Sequence, residues 1–82
     1  MNTAEDYLRD MLGLLLDRAR EAKSRCHAEK SRSQTQAAGF ECGRALAYYE
    51  VLSALINRLE PFGLSRRQVG VPDDLDLDRE LL

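Results

Sequence analysis

The residues of this chain that could carry chemistry are few: two cysteines, one histidine, a spaced row of arginines and a crowd of carboxylates at the C-terminus. Cys26 and Cys42 admit three chemistries. A disulfide needs their Cβ atoms close together and an oxidising setting. A metal site needs about four ligands. The single His27 falls off the apolar stripe that carries Cys26, so no metal is expected. The default is a pair of buried free thiols packing as small core residues. His27 lies in a polar stretch beside Glu29 and reads as solvated.

Catalysis has little to work with. There is no second histidine, no serine paired with a base and no glycine-rich phosphate loop. An enzyme would depend on carboxylates and tyrosines, without the constellation an active site needs. Tyr48 and Tyr49 form a conspicuous pair, and helical spacing accounts for both as packing residues. No catalytic residue and no cofactor is expected, and the chain reads as a non-enzyme.

Arg18, Arg25 and Arg32 are seven apart, which puts them in one row on a helix. Around them, residues 17–36 hold Arg18, Arg20, Lys23, Arg25, Lys30 and Arg32 against Asp17, Glu21 and Glu29, a local net of +3. Such a row can meet phosphates along a nucleic-acid backbone. It can equally flank a helix interface, pairing with Glu41 or stacking on Tyr48. The whole-chain net charge is −2 and no basic–aromatic module is present. A protein partner is therefore the first expectation, and a nucleic-acid-binding hairpin dimer the alternative. Asp73, Asp74, Asp76, Asp78 and Glu80 lack the glycine and ligand order of a calcium loop. They read as caps and solvation, or as an acidic peptide for a basic groove.

Helices must position these groups. From Ala37 to Leu59 the apolar or small residues Ala38, Cys42, Ala45, Tyr49, Leu52, Ile56 and Leu59 recur at alternating steps of four and three, one stripe along a helix. Pro61 stops that helix because proline has no amide hydrogen for the ladder. An earlier stripe runs Leu8, Leu12, Leu15, Ala19, Ala22, Cys26 and then ends at Glu29 and Ser33. Asn2 with Glu5 and Ser33 with Gln36 are the expected capping boxes, and Glu5 and Asp6 suit the positive end of the helix dipole. Gly13 lies off the stripe.

Residues 27–36 hold no large apolar side chain, glycine or proline, so one continuous helix has to be weighed against a hairpin. Phase decides. Extending the first stripe misses the second by two residues, which at about 100° per residue sets the stripes on nearly opposite sides of one rod. A turn removes the conflict and gives an antiparallel register. Leu8 faces Leu59, Leu12 Ile56, Leu15 Leu52, Ala19 Tyr49, Ala22 Ala45 and Cys26 Cys42, with indices summing to 67 or 68 throughout. Small residues gather at the tip.

The fold class is therefore all-α: an antiparallel two-helix hairpin over residues 1–60, with helices at about 3–30 and 35–60. A partly ordered tail with short helices occupies 61–82 and docks on its own hairpin or on another chain. Ser65 is the expected cap of a turn reaching Val69, and Asp73 or Asp74 the cap of a last helix. A second apolar row remains: Tyr7, Met11 and Leu14 on the first helix, Tyr48, Val51 and Leu55 on the second. Exposed contiguous apolar surface marks an interaction site, and the row predicts pairing of two hairpins into a four-helix bundle.

Composition agrees. The 82 residues allow one domain, with 32% charged, 44% apolar and 6% aromatic residues and no Trp. A core of mostly Leu and Ala is thin, which favours oligomerisation. The start, MNTAEDYLRD, lacks a secretion signal, and the longest apolar run, Ala45–Tyr49, is too short for a membrane span. A cytoplasmic homodimer with reduced thiols is the expectation, acting as an adaptor, chaperone or inhibitor.

Overall fold

A computed structural model describes residues 3–32 and 35–82. The capping boxes expected at Asn2 and Ser33 fall outside these residues. Two long helices dominate: α1, Thr3–Ser31, and α2, Thr35–Asn57. Glu5 and Asp6 occupy the first turn of α1 and Lys30 its last, the placement the helix dipole favours. A 29-residue helix spans about 43 Å, which accounts for the 47 Å long axis of a molecule only 19 by 17 Å across.

The second helix ends earlier than expected. After Asn57 the ladder tightens, with the Arg58 and Leu59 N–H groups donating to the carbonyls of Leu55 and Ile56. Pro61 then sits inside a 3-10 turn, Glu60–Phe62, closed by Gly63 at φ 73°. Proline disfavours α geometry in the residue before it as well as removing its own donor, so the α ladder yields ahead of it.

The helices pack antiparallel. One buried cluster joins Leu12 and Ala19 of α1, Leu52 and Ile56 of α2, Leu59, and Val69, Val71, Leu75 and Leu81 from the tail. Leu8, Leu15, Leu16, Tyr48, Tyr49, Leu64 and Leu77 pack around it. At the tip the buried residues are Ala22, Cys26, Ala38 and Ala45, none larger than cysteine. The register read from the stripes holds there. Cys26 and Cys42 are joined in a disulfide with Cα atoms 4.7 Å apart. This corrects the expectation of free thiols: antiparallel pairing brings the two stripe positions face to face, with only small neighbours to separate the backbones.

The tail folds onto its own hairpin. A 3-10 turn, Arg67–Val69, packs on α1, and a short helix α3, Leu77–Leu81, packs on both long helices. Ser65 is a cap as expected. Its Oγ accepts from the Gln68 N–H at 3.2 Å, while Gln68 Oε1 accepts from the Ser65 N–H at 2.8 Å, a reciprocal capping box. Gly70, at φ 74°, lets Arg9 pass close by: a Cβ there would lie 2.7 Å from Arg9 Cγ. Arg9 continues past it to donate to the Gln68 carbonyl at 2.8 Å. The cap of α3 is Asp76, whose carboxylate accepts from the Arg79 N–H at 3.3 Å, not Asp73 or Asp74. Asp73 instead meets Arg67 at 3.4 Å.

Candidate interaction face

The hairpin has two edges beside its seam, and the tail occupies one. On α1 that edge is formed by Arg9, Leu16, Arg20 and Lys23, and on α2 by Tyr49 and Ser53, positions that share a side at helical spacing. Arg20 donates to both carboxylate oxygens of Glu80, at 2.8 and 3.1 Å. Lys23 donates to the Leu82 carbonyl at 3.0 Å and the Tyr49 hydroxyl to Asp78 at 2.5 Å. The hydrogen bond from Arg20 holds the Glu80 carboxyl below its ordinary range, against the opposing effect of burial. The same bond raises Arg20. The bond to Asp78 is the main cause of a raised Tyr49 phenol. The C-terminal carboxylates thus cap, pair and anchor.

The opposite edge is open. Tyr7 is 65% exposed, Leu14 42%, Val51 48% and Leu55 39%, while Met11 and Tyr48 are half-buried. Leu15, Arg44, Ala47, Tyr48 and Val51 line a shallow hollow of about 200 Å³ there. Phe40, 68% exposed, continues the same edge towards the tip at helical spacing from Arg44 and Ala47. Each residue of the second apolar row therefore lies away from the tail.

The arginine row borders this edge nearer the tip. Arg25 pairs with Glu21 at 2.7 Å and Arg32 with Glu29 at 3.8 Å, both one turn away on α1. Arg18 is exposed. The contacts expected of that row belong to Arg44. Its Nε donates to Glu41 at 3.1 Å, and its guanidinium lies 5.9 Å from the centre of the Tyr48 ring. One Arg44 amino nitrogen is also 3.1 Å from the same carboxylate oxygen, yet it is buried and not aligned to donate. Glu41 three residues before and Tyr48 four after were the sequence signal for Arg44. Arg9, Arg20 and Lys23 have no such signal, since their tail partners lie 59 or 60 residues away.

Among the described residues no cluster of three or more His, Cys, Asp or Glu side chains could hold a metal ion. Among the described residues no helix is long and apolar enough to cross a membrane. His27 is exposed. Compared with known protein families, curated proteins and solved structures, the chain matches none. Function has to be read from the two edges of the hairpin.

Proposed function

We propose that the chain is a small non-enzymatic protein–protein interaction module, of adaptor, chaperone or inhibitor type, that works by helix packing and first pairs with a second copy of itself. One observation carries this: the tail takes one edge of the hairpin and leaves Tyr7, Leu14, Val51 and Leu55 of the second row exposed, with Met11 and Tyr48 half-buried beside them. These side chains expose roughly 500 Å², in the upper range for a patch on a monomer. Two copies face to face would cover at most about 1,000 Å² from this row in total, the lower bound for a specific interface. Two-fold pairing of hairpins makes a four-helix bundle with a self-complementary seam. Arg18, Arg25 and Arg32 then flank the seam, where charge sets orientation more than affinity. The disulfide favours a compartment that oxidises thiols at least part of the time, rather than the uniformly reducing cytosol expected from the sequence.

The test is absolute mass by light scattering over a dilution series, on wild type and Leu55→Glu. Leu55 is largely outside the protomer's core, so the variant keeps its helical content. A wild-type dimer that Leu55→Glu converts to a folded monomer is the expected result. A wild type that stays monomeric at high concentration overturns self-association.

A further inference from the structure

We propose that the Cys26–Cys42 bond is a redox latch on the tip of the hairpin, whose release melts the start of α2 and loosens the open edge through Glu41, Arg44 and Tyr48. Among the described residues little else holds the tip. Its buried residues are Ala22, Cys26, Ala38 and Ala45, and none of them belongs to the large apolar cluster at the base. The last turns of α1, HAEKS, contribute no large apolar side chain. The first turns of α2 contain Gly39 and Gly43, each of which weakens a helix relative to alanine. Neither is required by packing, because a Cβ at either position would meet nothing within 4 Å. The covalent bond spans a sequence separation of 16. For a loop near that length the cross-link shifts the opening equilibrium by on the order of 100-fold.

The tip connects directly to the candidate face. Glu41 immediately precedes Cys42, and it is Glu41 that holds Arg44. Arg44 lies over Tyr48 and lines the hollow with Val51 and Leu15. Once α2 frays past Cys42, Arg44 loses its carboxylate partner and Tyr48 its cover.

The chemistry is thiol–disulfide exchange. A small-molecule dithiol is the reductant. Its thiolate attacks the sulfur of Cys42, the half-buried member of the pair, while Cys26 is only 2% exposed. The sulfur–sulfur bond breaks, Cys26 leaves as thiolate and takes a proton, and a mixed disulfide forms on Cys42. The second thiol of the reductant resolves it, releasing Cys42 as a thiol and the reductant as its cyclic disulfide. Two electrons and two protons pass to the protein.

The experiment is amide hydrogen exchange on the full chain, oxidised and after treatment with dithiothreitol. Cys26→Ser with Cys42→Ser serves as a reagent-free mimic of the reduced state. Reduction is expected to speed exchange about 100-fold at residues 39–43, the first amides of α2 with acceptors inside the helix, with Leu52 and Ile56 changing far less. Gly39→Ala with Gly43→Ala should slow it again in reduced protein by about tenfold or more. Unchanged tip exchange overturns the latch, and so does an equal acceleration at tip and base, which would mean global unfolding. The Arg44 Nε–H resonance reads the coupling: reduction should broaden or shift it, and an unaltered signal refutes transmission to the open edge. None of these readouts depends on self-association, so a monomeric oxidised protein would refute the proposed dimer and leave the latch standing.

Discussion

Gly63 and Gly70 both adopt left-handed geometry, at φ 73° and 74°, but their surroundings differ. A Cβ at Gly63 would meet nothing within 4 Å, whereas one at Gly70 would press on Arg9 at 2.7 Å from Cγ and 3.3 Å from Cδ. Gly63→Ala should therefore cost only the backbone strain of a left-handed non-glycine residue, about 1 kcal/mol. Gly70→Ala carries that strain and also displaces Arg9, with loss of its 2.8 Å bond to the Gln68 carbonyl. A hydrogen bond of this kind adds about 1 kcal/mol, for roughly 2 kcal/mol in all. The assay is urea unfolding of the oxidised protein at fixed concentration. Arg9→Ala completes a cycle: in that background the excess cost of Gly70→Ala should vanish, leaving a value near that of Gly63→Ala. Equal costs at the two glycines in the wild-type background would refute the Arg9 contact, and so would an excess that survives Arg9→Ala.

Two further outcomes follow from burial and from the tail's anchors. Leu52, 1% exposed, should lose about 3 kcal/mol on change to Ala, whereas Leu46, 46% exposed, should lose no more than about 0.5 kcal/mol; both are read from urea midpoints. Tail docking should weaken at both pH extremes, while the buried Val69, Val71, Leu75 and Leu81 keep it from being lost outright. Glu80 has a lowered folded pKa, so its contribution is present above the unfolded carboxyl value of about 4.3 and is lost as pH falls through the folded one. Tyr49 has a raised folded pKa, so its contribution is present below about 10 and is lost as pH rises through the folded value. The Leu81 methyl shift followed against pH should show both limbs. Glu80→Gln should remove the acid limb and Tyr49→Phe the alkaline one.

The hairpin is legible in the sequence because two stripes of opposite phase permit only a turn between them, and because index sums of 67 or 68 pair both stripes throughout. That register also places Cys26 against Cys42. It carries no information on oxidation state, so it leaves the choice between a disulfide and two free thiols open. The tail's destination is not legible. Val69, Val71, Leu75 and Leu81 follow no single helical or strand period, because the left-handed Gly70 redirects the chain between the first two. Their anchors, Arg9, Arg20 and Lys23, look like ordinary surface charges of α1 until the fold brings the C-terminus alongside. Three acidic residues within four positions could each cap α3, and the choice of Asp76 is set by where Leu77 and Leu81 must point. On the candidate face the apolar row was readable from spacing. Arg44 stands outside the regular seven-residue interval of Arg18, Arg25 and Arg32, two of which pair with glutamates of α1.

The most direct test of the open edge as a meeting place for two copies is an isotope-filtered nuclear Overhauser experiment on a mixture of labelled and unlabelled oxidised protein. Intermolecular cross-peaks are expected from the methyl groups of Met11, Leu14, Val51 and Leu55. None is expected from Leu46, which is outside the apolar row, or from Leu81 in the tail. Cross-peaks confined to the tail side, or none at concentrations where light scattering gives a dimer mass, would contradict the assignment of that face.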